Sequence, residues 1–247
     1  MNKGICRLCK KEKYLCKKSH ILPKHTYKIL KEDFYSLYID KNTIKNKSKQ
    51  KDYSGKFESN ILCENCEALL SESETYACNL IYRNKINEIK KEIIDNDKII
   101  ISGNGYDYEK IKLYFLSILW KSSIASDNFF ENIKLNQAEE EEIRLTLLKK
   151  TTFQKNISIF LTLPNLQDRN NFDAMDILIT EAPYKISPKG IDVYKFFITG
   201  QSIYFIMGAK NFNYITKDKL TIFLLNQEQT QRQRNFRNKK INQLFNL

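Results

Sequence analysis

The feature that most constrains this chain is a pair of Cys-x-x-Cys turns, Cys6-Arg7-Leu8-Cys9 and Cys63-Glu64-Asn65-Cys66, which bracket the segment Ser19-His20-Ile21-Leu22-Pro23-Lys24. Each pair places two thiolates on one tight turn, and two such turns complete the tetrahedral sulfur shell of a structural Zn2+. The loop between them is long, but closure entropy grows only with the logarithm of loop length, and metal binding supplies the driving force. The spacing therefore predicts one zinc site with Cys6, Cys9, Cys63 and Cys66 as ligands. Cys16 and Cys78 are left over and read as packed thiols, with Cys16 near enough to the first turn to compete as a ligand.

A chain of 247 residues can bury a core of its own, so the metal staples one region and does not replace that core. The opening Met1-Asn2-Lys3-Gly4-Ile5-Cys6 runs straight into the first knuckle, and no apolar run is long enough to span a bilayer. The expectation is a cytoplasmic protein with no membrane partner, its cysteines reduced and metal-bound. The net charge of +12 is concentrated: residues 1 to 60 carry 16 Lys or Arg against 6 Asp or Glu, and Arg232, Arg234, Arg237, Lys239 and Lys240 crowd the end of the chain. A basic excess beside a metal motif points to a polyanion, because neutralising phosphates releases counterions. A composition biased to Lys, Ile and Asn is the alternative source of that excess.

Taken in order, the first cysteine pair leads into a short hairpin through Lys10 to Lys13, then Tyr14-Leu15-Cys16 runs to Ser19-His20 and Pro23 ends the strand. Residues 24 to 31 read as a short helix. Lys41 to Gly55 is almost wholly polar and reads as a mobile loop or a partner-ordered arm. Cys66 leads into a helix with Leu70, Ala77 and Ile81 facing inward, and helix extends to about Ile94 before Asp95 to Asn104 breaks it. Tyr108 to Ser123 reads as a strongly apolar helix, and Asn136 to Lys150 as an amphipathic one whose glutamates suit the positive end of the helix dipole.

From Thr151 onward the pattern turns to strands: Ile157 to Leu163, Asp176 to Thr180, Val193 to Thr199, Ser202 to Gly208 and Leu220 to Leu225, with Gly200-Gln201 as a glycine-first hairpin turn. This half has no His, no Cys and no phosphate-binding glycine loop, and reads as support, substrate contact or an oligomer interface. The expected class is α+β: a zinc domain over 1–94 with a lysine-rich insertion, helices packed on an antiparallel sheet over 105–226, and a basic tail over 227–247.

A zinc held by four thiolates has no open position and cannot activate water, so any reaction needs groups beside it. His20 leads, since a neutral imidazole serves as a general base near pH 7. A structural neighbour of the zinc, or an alternative zinc ligand, are its other possible roles. His25 reads as surface or packing.

Together, Cys6-x-x-Cys9, His20-Ile21-Leu22-Pro23-Lys24 and Leu62-Cys63-x-x-Cys66 before a helix resemble the zinc-stapled HNH endonucleases, whose ββα-metal site sits on a treble-clef knuckle. Cys66-Glu67 through Leu70-Ser71 to Glu74-x-Tyr76, with Leu116 to Lys121, is similar to bacterial HNH-like proteins. The resemblance implies that His20 activates water and that the slots of Ser19 and Glu67 hold a catalytic Mg2+ or Mn2+, with Asn60 as the upstream polar residue and help from Glu74. Lys24, Lys28, Lys45, Lys47 and Lys49 then hold the phosphate backbone. Ser19 stands where the family has Asp, Glu or His, and Glu67 where it has His; a carboxylate favours a harder ion.

Three functions follow for testing. The first is a metal-dependent endonuclease, on DNA before RNA, of the kind used in bacterial antiviral defence. The second is a zinc-stabilised nucleic-acid-binding module without catalysis, and the third a protein-interaction subunit. The resemblance also implies a homodimer or partner subunit, joined through the C-terminal sheet.

Overall fold

In a computed structural model, the residues described are 2–24, 36–40, 50–52, 55–82, 91–95, 98–101, 106–151, 157–164, 179–208 and 221–225, and all that follows concerns them. The chain is mixed α and β. The N-terminal part carries β1 (Asn2–Ile5), β2 (Glu12–Leu15), β3 (Ser19–His20), β4 (Ser36–Ile39), β5 (Gln50–Asp52), β6 (Phe57–Glu58) and helix α1 (Glu64–Ala77), which runs into a π turn over Cys78–Tyr82. Then come β7 (Lys91–Asp95), β8 (Lys98–Ile101), helices α2 (Tyr108–Ser123) and α3 (Gln137–Lys149), and strands β9 (Ile157–Pro164), β10 (Ile179–Ile186), β11 (Val193–Ile198), β12 (Gln201–Met207) and β13 (Thr221–Leu225).

The two long helices follow their local codes. Asp107 caps α2 by accepting from the Lys110 N–H, and Asn136 and Glu139 form a reciprocal capping box on α3. Helix α2 is buried from Ile111 to Ser123 on every face, the pattern of a helix at the centre of a core. It packs between α1 and α3. The inward residues of the sheet join the same cluster: Tyr194, Phe196 and Ile198 of β11, Ile203, Phe205 and Met207 of β12, and Ile157, Ile159 and Leu161 of β9. They alternate along each strand and face one another across the register, as period-two burial requires.

Nine strands form the main sheet in the order β5-β4-β10-β11-β12-β9-β13-β8-β7. The expectation of a wholly antiparallel sheet is corrected at two joints, where β4 runs parallel to β10 and β13 parallel to β9. Both join strands far apart in sequence, so no hairpin dictates their direction. Two further readings change. Residues 91–95 are strand, paired with β8, where a helix was expected to about Ile94, and residues 50–52 of the expected loop pair with β4. The turn between β11 and β12 is Thr199-Gly200, both with positive φ (45° and 82°), so the glycine sits second and the strands pair Ile198 with Gln201. That is the backbone twist of a type I′ turn, which matches the twist of its strands. Strand β10 begins at Ile179 and continues through Pro183, with a register shift between Glu181 and Tyr184 that accommodates the missing N–H.

Candidate metal centre

Strands β1 and β2 form a hairpin whose connection is the first knuckle. Cys6 donates its N–H to Lys11 O (3.0 Å) and Lys10 N–H returns to Cys6 O (2.8 Å), with Lys10 in the left-handed region (φ 58°) closing the turn. The second knuckle is the start of α1. Cys63 is the residue before the helix, and the N–H groups of Cys66 and Glu67 both donate to its carbonyl at 3.0 Å. Three backbone bonds clip the knuckles together: Arg7 N–H to Ile61 O (2.8 Å), Cys16 N–H to Leu62 O (2.8 Å) and Asn60 N–H to Cys16 O (3.0 Å). From α3, Arg144 donates to the carbonyl of Leu8 while its guanidinium grips Glu141 at 2.6 Å, which fixes the first knuckle from outside.

The outcome is four sulfurs, of Cys6, Cys9, Cys63 and Cys66, all within 4.8 Å of one another. Tetrahedral zinc with Zn–S bonds of about 2.3 Å needs sulfurs roughly 3.8 Å apart, so the donor set fits in number, chemistry and spacing. The Cys63 N–H also points at Cys6 Sγ (3.4 Å), a stabilising donor to a thiolate. Without a cation the sulfurs must share protons: the Cys66 thiol hydrogen-bonds Cys6 and holds that thiol down to about 4, while the same bond and burial push Cys66 up. A dication at the centre replaces that sharing. Cys16 is not one of the four; burial and then the Glu67 and Glu64 carboxylates push its thiol up, which keeps it protonated.

The residues expected to carry chemistry assemble beside this clamp. Strand β3 pairs with β6, Ser19 opposite Glu58 and His20 opposite Phe57, and Ile21 N–H continues the pairing to Lys56 O (2.9 Å). Ser19 is fully buried; His20 is half-buried, its ring 6.1 Å from that of Phe57. Helix α1 brings Glu67, one residue past Cys66, against the same place. Burial pushes the Glu67 carboxyl above the usual range, with the Lys121 ammonium and then the Ser19 hydroxyl pulling the other way. Ser19 Oγ and Glu67 Oε1 are nonetheless both buried without a full hydrogen bond to any protein group. Glu74, two turns along α1, accepts from Lys121 Nζ (3.0 Å), which also donates to the His20 carbonyl (2.8 Å).

Two buried oxygens without partners, one carboxylate and one hydroxyl, are the donor types Mg2+ or Mn2+ takes. They are two, and among the described residues no group of three His, Cys, Asp or Glu side chains stands here as it does at the thiolate clamp. Magnesium is often held by one or two carboxylates with water and substrate phosphate completing its shell; here there is one such carboxylate, with the Lys121 ammonium acting on it.

Asn60 stands apart by role: it is exposed, with φ of 60° and its N–H on Cys16 O, the place of a turn residue. Lys24 is exposed just past Pro23, while Lys28, Lys45, Lys47, Lys49 and His25 lie outside the described residues. Lys121 entered the sequence reading only as the end of Leu116 to Lys121 and was given no role, since a lysine after Trp120 carries no local sign of the two partners it meets. Among the described residues, no helix is long and apolar enough to cross a membrane. No family model, curated protein or solved structure matches the chain.

Proposed function

We propose that this protein is a metal-dependent endonuclease that hydrolyses nucleic-acid phosphodiester bonds, with DNA favoured over RNA, built on a treble-clef knuckle of the HNH kind. One observation carries the reading: β3 pairs with β6 across the segment that holds β4 and β5, β6 leads into α1, and this strand pair and helix bring the histidine strand, Ser19 and Glu67 together beside the clamp with Ser19 Oγ and Glu67 Oε1 buried and short of hydrogen-bond partners. In this reading His20 takes the proton of the attacking water. Ser19 and Glu67 supply oxygen ligands, and Lys24 with the basic N-terminal segment holds the phosphate backbone without reading sequence. Mg2+ or Mn2+, when bound, supplies positive charge to the phosphoryl oxygens and the leaving group. The net charge of +12 supports a polyanionic substrate.

The test incubates the zinc-loaded protein with Mg2+ or Mn2+ and supercoiled plasmid, single-stranded DNA or RNA, beside His20→Ala. Cleavage that falls at least about 100-fold in the variant is expected for loss of a general base. No cleavage of any substrate, or equal cleavage by a variant that keeps its zinc, overturns the reading. A second reading, a binding module without catalysis, is favoured by one feature: Lys121 already brings a cation to Glu74 and Glu67, and burial favours a neutral Glu67. It predicts nucleic-acid binding that weakens steeply with salt, and no product.

A further inference from the structure

We propose that Lys121 is a positioning residue for His20, its ammonium tying the histidine strand to α1 from a third element, α2. The proposal rests on the endonuclease reading for its kinetic consequence and on geometry alone for its structural one.

The lysine is 0% exposed, in a helix whose neighbours from Ile111 onward are all buried. An ammonium is carried into such a place only when it is paired, and a well-packed apolar residue there is commonly as stable or more so. Core packing therefore does not account for a lysine at this position; its partners do. Nζ donates to the His20 carbonyl, 101 positions away in the chain, and to Glu74 Oε1.

The strand it holds is short, although Ile21 after it is buried and hydrogen-bonded to Lys56 O. β3 is two residues long, and its ladder partner β6 is also two residues long. Isolated two-stranded pairs are marginal in water even when longer. Bonding the His20 carbonyl to a buried cation fixes the peptide that carries the imidazole. Through Glu74 the same cation fixes the face of α1 from which Glu67 projects, because residues seven apart lie two turns along one side of a helix. Lys121 thus sets the distance between His20 and Glu67 while touching neither the imidazole nor the scissile group.

The experiment uses the full chain with its zinc, and Lys121→Met and Glu74→Gln in a His25→Gln background, so that His20 is the single imidazole. Three quantities are read for each: zinc per chain, the position of the His20 ring resonance by NMR, and kcat and KM for plasmid cleavage. Lys121→Met is expected to keep its zinc, to move the His20 resonance, and to lower kcat about 100-fold, the cost of about 1 Å of misplacement. KM for DNA should stay within about threefold, as befits a residue that does not bind substrate. Glu74→Gln, which leaves the ammonium and its bond to the His20 carbonyl, should move the resonance the same way by less and lower kcat about tenfold.

An unmoved resonance in a zinc-loaded Lys121→Met overturns the proposal, as does a loss carried by KM with kcat intact. If Lys121→Met fails to take up zinc, Glu74→Gln decides, and an unmoved resonance there overturns it. If the parent protein cleaves nothing, the endonuclease reading falls by itself, and the resonance still judges whether Lys121 positions His20.

Discussion

Removing one zinc ligand tests the clamp most directly. Cys6 and Cys63 lie 57 positions apart, and Cys63→Ser takes away one of the four sulfurs that join them. A cross-link closing a loop of this length removes about 4 kcal/mol of unfolded-state entropy in the chain-entropy account, and a metal clip closes the loop in the same sense. For a chain of this size each kcal/mol moves Tm by about 2–4 °C, so the variant should melt roughly 8–16 °C below the parent. Serine keeps the volume and removes the thiolate, so packing loss adds little. The assay is thermal melting by circular dichroism with zinc per chain counted by mass spectrometry, on the parent, on Cys63→Ser and on the parent stripped with a strong chelator. The stripped parent and the variant should melt together. A parent purified without zinc, or a variant that has lost its zinc and melts within about 3 °C of the parent, refutes the reasoning, since less than about 1 kcal/mol would then rest on the clamp.

Arg144→Met leaves the Leu8 carbonyl without its guanidinium donor, and a buried acceptor left unpaired costs about 1–3 kcal/mol, read as a shift in the denaturant midpoint. The Arg144 hydrogen bond holds the Glu141 carboxyl below the usual range. A depressed carboxyl adds stability above the ordinary carboxylate range and loses it as pH falls through its lowered value, so Glu141→Gln should flatten the acid side of the Tm-against-pH curve. At the β11–β12 turn, Thr199 is β-branched at φ 45° with its hydroxyl unpartnered, so Thr199→Asn should stabilise by about 1 kcal/mol; a lowered Tm would show that the turn is not of the Asn-Gly kind.

What could be read from the residues was what they decide locally. Helix α2 begins where the sequence pattern places it because Asp107 caps its start, and α3 starts at its capping box. The four clustered cysteines were legible for the same reason, each pair being fixed by a turn of four residues. Lys91 to Ile94 was misread as helix because Lys and Glu are good helix formers, and its strand is secured through β8 by β13, which lies more than a hundred residues later. Tertiary pairing of that kind overrides propensity. The two parallel joints and the pairing of β4 with β10 are hidden in the same way, since nothing in either partner names the other. At Thr199-Gly200 the glycine was correctly placed in the turn but read as its first residue when it is the second, because a type I′ turn asks for positive φ at both central residues and threonine gives no such warning.

The candidate site shows where the limit falls. His20 stood out as one of two histidines beside the cysteine motif, and Ser19 and Glu67 were reached through the resemblance to HNH endonucleases, but Lys121, which bonds the His20 carbonyl and Glu74, comes from α2. Helix α1 is held twice: at its first turn by Cys63 and Cys66 through the clamp, and at Glu74 by Lys121. Glu67 lies between these two fixed points; the Lys121 ammonium acts on its carboxyl from nearby, while one oxygen, Oε1, is buried without a hydrogen-bond partner. Burial pushes this carboxyl toward its protonated form, and the Lys121 ammonium and the Ser19 hydroxyl pull it back. Under the endonuclease proposal, a cation brought with phosphate takes over that second role. In that reading a zinc held by the four thiolates has no open position and serves the site only by fixing the start of the helix that carries Glu67.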